Sequence, residues 1–268
     1  MDLTKYTIPG LLEIELSFLK DALFMAEKAG DIQLKYFRQT NLEQSTKLND
    51  SDVVTIADKE SEAFILDYIH NHYSEHGIIS EESGSENEER EWRWLIDPLD
   101  GTTNFSSGLP AFCVSIALEH YGDAIMGIVY APYLQECFCA VKGKGAWFNG
   151  KQIHCSQKFE LSKAVVATGV PYDRKENSDN NLKEIMKVAL CVRGIRRMGS
   201  AAIDLCYTGA GFFDVYWELN LNRWDVSAGQ LIAKEAGTII ESLRSDRQHS
   251  ILVSNPSLYP KIRKILLS

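Results

Sequence analysis

The 268-residue sequence lacks an apolar run long enough to cross a lipid bilayer. Apolar runs such as FCVSIAL and AIMGIVYA are far shorter than the roughly 20 residues that a membrane-spanning helix needs. The first ten residues, MDLTKYTIPG, also lack the basic segment and apolar stretch of a secretory signal. We therefore expect a cytoplasmic protein with no membrane partner.

Basic residues are fewer than acidic residues in this sequence. Lys and Arg number 28 against 37 Asp and Glu, which gives a formal net charge of −9. A nucleic-acid partner requires a basic face that displaces counterions from the phosphates, so we expect no such partner. An anionic substrate is still compatible with this charge, because acidic side chains that collect divalent cations create a locally positive site.

Cysteines are few and irregularly spaced, and the sequence shows no obvious linker. Six cysteines in a chain of this size predict free thiols in a reducing compartment. Hydrophobic residues make up 45% and charged residues 24%, as in ordinary globular proteins. We expect one domain over residues 1–268, composed of two fused lobes at about 1–150 and 151–268.

Hydrophobic periodicity predicts helices and strands in separate blocks. An amphipathic helix is expected over residues 15–37, and a second, capped by Thr55 and Asp58, ends near residue 73. Residues 83–91 read as a surface loop. The strands that follow are predicted at 94–97, 113–119, 124–130 and 136–141. The second half alternates, with strands at 165–169, 212–217, 238–241 and 251–253 and helices at 181–189, 201–209, from 225 to 236 and at the end. This order favours a layered mixed α/β (α+β) fold.

The most informative segment is WLIDPLDGTTNF, residues 94–105. An apolar strand ends in Asp97, and Pro98 is expected to hold Asp97 extended and to end the strand there. Asp100 follows across a sharp bend, so two carboxylates and the carbonyl of Leu99 can converge on one point. Oxygen ligands of this kind are the ones that Mg²⁺ prefers.

Three other features of the sequence extend this candidate site. Gly101 and the helix start at Thr102 offer free N–H groups to an anion. Glu81 follows a short apolar strand, and Asp225 stands where a helix begins. Taken singly, each has a simpler explanation, since Asp-Pro and Asp-Gly are common in turns, Glu81 is a strand-end acid and Asp225 an N-cap. The combination is what indicates a site.

Together, SEES at residues 80–83, WLIDPLDGTTNF and WDVSAG at 224–229 resemble the inositol monophosphatase family in order and spacing over nearly the whole chain. The resemblance implies a layered αβαβα sandwich of the sugar-phosphatase type, usually a homodimer. It also implies a Mg²⁺-dependent, lithium-sensitive phosphoric monoester hydrolase, with myo-inositol monophosphate as the expected substrate.

The resemblance also assigns a metal site of two to three Mg²⁺ ions. Glu81, Asp97 and the carbonyl of Leu99 would hold the first ion, and Asp97, Asp100 and Asp225 the second. Glu81 would also hold a third, weaker ion through water. Two such ions can clamp the attacking and leaving oxygens of an in-line displacement by a metal-activated water.

Catalytic and substrate-binding residues are implied in the same way. Glu81 and Thr102, the latter linked to Asp52, would orient and activate the attacking water. Asp52 has an alternative as a solvated acid, Gly199 as a tight junction and Glu218 as a charged strand end. The residues implied to contact the small phosphorylated polyol or sugar are Asp100, Gly101, Thr102, Thr103, Gly199, Ser200, Ala201, Glu218 and Asp225.

Two departures from the family pattern leave the substrate open. Ser80 stands where many relatives carry Gly, and Ser106 and Ser107 replace an apolar residue and His. The alternatives are a fructose-1,6-bisphosphatase, a 3′(2′),5′-bisphosphate nucleotidase or a histidinol-phosphate phosphatase of the same superfamily. A non-catalytic metal-binding scaffold is an alternative of another class.

Overall fold

The computed structural model describes residue 6 and residues 8–39, 44–46 and 53–268, except for the side chains of 44–46, 53 and 54. Asp52, a predicted catalytic residue, lies outside the described residues. The helices are Glu13–Tyr36 (α1), Ile56–His72 (α2), Thr102–Ser106 (α3), Leu182–Ala189 (α4), Ala201–Gly209 (α5), Arg223–Glu235 (α6) and Tyr259–Leu266 (α7).

The first half of the chain forms a short strand pair and a large sheet. Gln44–Thr46 (β1) and Val53–Thr55 (β2) pair with each other. The large sheet has the order β10-β9-β8-β7-β6-β5-β3-β4, and only β3 and β5 are parallel. Its strands are Gly77–Ser80 (β3), Gly84–Glu86 (β4), Trp92–Asp100 (β5), Cys113–His120 (β6), Asp123–Ala131 (β7), Glu136–Val141 (β8), Ala146–Phe148 (β9) and Lys151–Ile153 (β10).

The second half forms a five-stranded sheet of order β12-β11-β13-β15-β14. Strand β11 is parallel to both of its neighbours, whereas β15 is antiparallel to β13 and β14. The strands are Val165–Thr168 (β11), Gly194–Arg196 (β12), Val215–Leu221 (β13), Ile239–Ser242 (β14) and His249–Ser254 (β15). The division into two lobes near residue 150 stays a prediction.

The elements stack in five layers, as the αβαβα prediction requires. Helices α1 and α2 cover one face of the large sheet. Helices α5 and α6 fill the space between the two sheets and contribute buried side chains to both. Helices α4 and α7 cover the outer face of the second sheet. Because α5 lies between two sheets, eight of its nine residues are buried, and its sequence is apolar almost all round.

Helices α1 and α2 confirm the periodicity on which they were predicted. The apolar stripe of α1 at Leu19, Ala22, Leu23, Ala26 and Ala29 is fully buried. At the start of α2, the backbone N–H of Thr55 donates to the Asp58 carboxylate at 2.8 Å, which is the expected capping arrangement.

The prediction that the strand ends at Pro98 is wrong. Strand β5 continues to Asp100, and its pairing with β6 shifts register between Asp97 and Asp100. Its other neighbour, β3, already ends opposite Ile96, so no partner on that side requires the N–H that Pro98 lacks. The carbonyl of Pro98 accepts a hydrogen bond from Gln33 Nε2 at 2.7 Å.

Two further boundaries differ from the sequence prediction. The predicted loop at 83–91 contains β4, whose three residues are all exposed and so leave no hydrophobic pattern to detect. The strand predicted at 212–217 is β13, which begins three residues later and runs to Leu221. This extension matters because it places Glu218 inside a strand.

The described residues also bear on the predictions made from composition. None of their helices combines the length and the apolar character that crossing a bilayer demands. All six cysteines lie in the described part of the chain and none forms a disulfide, as expected for free thiols.

We predict that Gly127→Ala destabilises the protein. A methyl group at Gly127 on β7 would lie 2.8 Å from the backbone of Ala228 on α6, where neither element can easily move. Overpacking of this kind costs about 1–3 kcal/mol, measurable as a lower free energy of unfolding in denaturant. Gly194→Ala is the control, because its new methyl group meets only the mobile guanidinium of Arg196. Equal stability of the two variants would contradict this account.

Candidate active site

An open cleft lies where β3 and β5 end and where α3, α5 and α6 begin. Five acidic side chains line it, and they come from all the central layers of the fold: Glu81, Asp97, Asp100, Glu218 and Asp225. Most of the predicted site residues that the structure describes line this cleft; Thr103 is exposed on α3 and does not.

Parallel pairing of β3 with β5 brings Glu81 beside Asp97. Ser80 lies opposite Ile96 in this ladder, and the N–H of Glu81 donates to the Ile96 carbonyl at 3.2 Å. The next residue of each strand is therefore acidic, at the same edge of the sheet. Glu81 and Asp97, which are 16 residues apart in the sequence, are therefore in direct contact.

Asp97 is almost fully buried, and its carboxylate is surrounded by other acids. Its Oδ1 accepts a hydrogen bond from the Leu99 N–H at 3.0 Å. Burial raises the pKa of Asp97 well above its usual range, and the nearby charges of Glu81, Asp100 and Asp225 raise it further. Burial and the nearby charges of Glu81, Asp100 and Glu218 raise the pKa of Asp225. These acids therefore repel one another across the cleft.

Asp100 is held by the start of α5. Its Oδ2 accepts hydrogen bonds from Ser200 Oγ at 2.6 Å and from the Ala202 N–H at 2.8 Å. Burial raises the pKa of Asp100 to about 6, and these two hydrogen bonds oppose the rise. Ser200 was predicted to contact substrate, but its hydroxyl also accepts from the Ile203 N–H as the cap of α5. Its main contact is therefore with Asp100.

Asp225 lines the cleft and helps to cap α6, but it is not the N-cap itself. Asn222, and not Asp225, is the residue that precedes α6. The Asp225 Oδ2 accepts from the Asn222 N–H at 2.7 Å and so completes a capping box. The carboxylate still lines the cleft, since the first turn of α6 points into it.

Thr102 contacts an acid that sequence reasoning treated only as a helix cap. Its Oγ1 lies 3.0 Å from Asp58 Oδ1 and 3.0 Å from the Leu99 carbonyl, either of which can accept its proton. Burial raises the pKa of Asp58 to about 6, against the opposing hydrogen bonds from Thr55 and Thr102. The predicted link from Thr102 to Asp52 lies outside the described residues and stays a prediction.

Two glycines shape the backbone beside these acids. Gly101 has φ +93° and Gly199 has φ +81°, a region that residues with a Cβ rarely adopt. A methyl group on Gly101 would also lie 2.8 Å from the Ala111 carbonyl. Asn104 holds the backbone beside Gly199 in place. Its Nδ2 donates to the carbonyl of Met198, which precedes Gly199, and to that of Ala111, both at 2.7 Å.

Glu218 lies on β13, at the end of the cleft formed by the second sheet. Tyr216 Oη donates to its Oε2 at 2.8 Å. Burial raises the pKa of Glu218 to about 7, although the Tyr216 hydrogen bond and the charge of Arg197 oppose this. Gly169 allows the close approach, since a methyl group there would overlap the Glu218 carboxylate.

Sequence reasoning missed part of this cleft. Arg197 is the single Lys, Arg or His among the described lining residues, and composition alone does not distinguish it from the other basic residues of the chain. The segment from Gly169 to Tyr172 lines the same end and carries no motif that marks it. Only its position after β11, which runs parallel to β13, brings it there.

The donor chemistry of the cleft fits Mg²⁺. Carboxylates and a backbone carbonyl are hard oxygen ligands, and a divalent cation would relieve the repulsion that raises the pKa of Asp97 and Asp225. Within the described part of the chain, no three His, Cys, Asp or Glu side chains are arranged as a finished metal-binding group.

A layered αβαβα fold with acidic side chains gathered between its sheets defines a class of phosphatase-like proteins. The chain belongs to the inositol monophosphatase family, whose sequence model matches residues 17–266. The resemblance seen in the sequence is thereby confirmed. Several of its structural neighbours carry the name inositol monophosphatase.

Individual relatives agree on the fold but differ in name. The chain is 40% identical to the Nus factor SuhB of Vibrio cholerae serotype O1 over 243 residues, 89% of this chain and 91% of that protein. The inositol monophosphatase from Anabaena (Nostoc) sp. PCC 7120 has a TM-score of 0.83 at 38% identity, covering 94% and 96% of the two chains. Extragenic suppressor protein suhB from Bartonella henselae has a TM-score of 0.87 at 36% identity, covering 93% and 98%.

We predict that Glu218 makes the metal-free protein less stable as pH rises. A buried acid with a raised pKa is neutral in both states well below pH 4.5 and is unfavourably charged in the fold above about pH 7. Its contribution to the free energy of unfolding therefore falls between about pH 4.5 and 7 and stays low above. Glu218→Gln should remove that part of the fall, roughly 3 kcal/mol, because the pKa rises from 4.5 to about 7.

The measurement is denaturant unfolding of both proteins in chelator at pH 5 and pH 8. Glu75→Gln is the control, because the Glu75 side chain is exposed to solvent, and it should keep the wild-type pH dependence. An unchanged pH dependence in Glu218→Gln would rule out the unfavourable burial of this carboxylate.

Proposed function

We propose that this protein hydrolyses a phosphate monoester in a Mg²⁺-dependent reaction, with myo-inositol monophosphate as the substrate. The observation that carries the proposal is the meeting of Glu81, Asp97, Asp100 and Asp225 in one cleft that has Glu218 at its other end. The cleft thus offers ligands for cations on one side and an acceptor for hydroxyl groups on the other.

In this proposal Glu81, Asp97 and the Leu99 carbonyl hold one Mg²⁺, and Asp97, Asp100 and Asp225 hold a second. Glu81 would also hold a third ion through water. When bound, Mg²⁺ supplies a Lewis acid that neutralises phosphate charge and makes water a better nucleophile. The raised pKa values of Asp97 and Asp225 support the assignment, since cations would favour their charged forms.

Thr102 and Glu81 orient the attacking water. When the Thr102 hydroxyl donates its proton to Asp58, its oxygen can accept a hydrogen bond from the water. The Glu81 carboxylate would accept the second proton. Asp52, predicted as the partner of Thr102, remains part of the proposal. The N–H groups of Gly101 and Thr102, with Thr103 beside them, would hold the phosphate oxygens.

The polyol would lie between α5 and the second sheet. Glu218 would accept hydrogen bonds from its hydroxyl groups, and Gly199 and Ala201 would contact its ring, with Ser200 acting through Asp100. Asp100 and Asp225 would meet the hydroxyls nearest the phosphate. Arg197 adds a positive charge at this end of the cleft, next to Glu218.

We predict that Asp97→Asn abolishes Mg²⁺-dependent phosphate release. The substitution removes the charge that both ions share, and losing several kcal/mol of transition-state stabilisation lowers kcat by at least about a hundredfold. The fold should persist, because an amide of the same shape can keep the hydrogen bond from Leu99. Colorimetric phosphate assays and unfolding curves measure the two properties.

Asp123→Asn is the matched control, since Asp123 is an exposed acid that pairs with Lys142 on the surface. It should retain wild-type activity. Activity in Asp97→Asn close to that of this control would exclude the proposed metal site.

The substrate is tested by phosphate release, with and without Mg²⁺, from a panel of esters: inositol 1-phosphate, fructose 1,6-bisphosphate, adenosine 3′,5′-bisphosphate and histidinol phosphate. We expect the highest kcat/KM for inositol 1-phosphate. A preference for another ester would keep the chemistry and move the substrate to an alternative within the superfamily. No release from any ester would favour the non-catalytic scaffold.

Four expectations extend this proposal: a homodimer, sensitivity to lithium, a location in the cytoplasm and the absence of a nucleic-acid partner. The family membership is what supports the first two. The comparisons do not support the expected absence of a nucleic-acid partner. Several relatives carry the name Nus factor SuhB, which states neither a phosphatase activity nor a substrate. Activity and partners of this chain need separate tests.

A further inference from the structure

The turn that carries Glu81 is short and follows immediately after β3. Residues 81–83 connect β3 to β4, so Glu81 has no regular secondary structure of its own. On the side of the sheet, its N–H is held by the Ile96 carbonyl. The other side of the turn faces α2.

One carboxylate of α2 binds this turn at several points. Glu62 Oε1 accepts hydrogen bonds from the N–H groups of Glu82 and Ser83, both at 3.1 Å, and from Ser83 Oγ at 3.2 Å. It also accepts one from the hydroxyl of Ser80. The donors thus come from the residue before Glu81 and from the two residues after it.

Glu62 can hold the turn because it is itself held. Glu62 is only 7% exposed, and it lies one helical turn after Asp58, which contacts Thr102. Ile65 and Ile69 pack α2 into the core beneath the large sheet. Ser61 Oγ donates to the Ala29 carbonyl at 3.3 Å and ties α2 to α1.

We propose that Glu62 is a positioning residue that holds the backbone around Glu81, so that the Glu81 carboxylate faces Asp97 in the form that binds Mg²⁺. The inference rests on the proposed function, since it concerns the affinity of that site for the ion. It also gives Ser80 a role: the hydroxyl that distinguishes it from the glycine of many relatives is one of the donors to Glu62.

The charge of Glu62 is essential to this arrangement. Hydrogen bonds to a carboxylate are roughly twice as strong as those between neutral groups. A glutamine has the same shape and keeps an amide oxygen that can accept these donors, but it has no charge, so each of these hydrogen bonds is weakened. Glu62→Gln would therefore loosen the turn on one side, while the Ile96 contact remains on the other.

The test is Mg²⁺ binding measured by calorimetry in the absence of substrate, together with the Mg²⁺ dependence of phosphate release. Residues that orient metal ligands from outside typically contribute 10–100-fold to metal affinity. We expect Glu62→Gln to weaken Mg²⁺ binding about tenfold and to recover most of its kcat at saturating Mg²⁺. Glu60→Gln is the matched control, because Glu60 lies on the same helix but contacts Tyr36; its Mg²⁺ affinity should be that of the wild type.

Two further variants separate positioning from a general loss of structure. Ser80→Ala removes one donor and leaves Glu62 charged, so it should weaken Mg²⁺ binding in the same direction but less. In a Glu81→Gln background, Glu62→Gln should have no additional effect, because its target is already gone. Wild-type affinity in both Glu62→Gln and Ser80→Ala, with weakened binding in Glu81→Gln, would overturn the inference alone. Wild-type affinity in Glu81→Gln would overturn the proposed function and this inference with it.

Discussion

The mutual repulsion of buried acids is the constraint on which the rest of the site depends. Five carboxylates line one cleft, and Arg197 is the single basic side chain among the described residues that line it. Burial and neighbouring negative charge raise the pKa of Asp97 and Asp225 well above their usual range. Without a cation, this arrangement costs stability, which the packing of the surrounding layers must offset. A cation in the cleft would relieve this repulsion.

The layers oppose that repulsion by attaching each acid to a rigid element. Asp100 on β5 is bound by the first turn of α5, and Asp225 belongs to the capping box of α6. Both helices lie between the two sheets, where their buried faces contact strands on each side. Helix α2 supports the site from the opposite face, through Asp58 to Thr102 and through Glu62 to the turn of Glu81. The contacts that pack the helices against the sheets therefore also hold the acidic side chains of the site in position.

Most of the fold was predictable because its elements repeat simple patterns. The buried stripe of α1 and the capping pair of α2 appear directly in the sequence. Strand β4 did not, because all of its residues are exposed and its pairing with β3 depends on backbone hydrogen bonds alone. The predicted strand end at Pro98 was wrong for a related reason. A proline ends a strand where a neighbouring strand needs its N–H, and the sequence does not reveal where that neighbour stops.

The sequence by itself determined the chemistry: which residues are acidic, how Asp97 and Asp100 flank one carbonyl, and where glycine permits a positive φ. Spacing within a single segment is local, so motifs such as WLIDPLDGTTNF carry that information directly. Only the tertiary structure decided which distant groups meet. Ser200 contacts Asp100, Asp58 contacts Thr102, Arg197 lies near Glu218 and Glu62 holds the turn of Glu81 because separate layers pack together. Contacts between layers depend on how whole elements pack, and no short stretch of sequence encodes that.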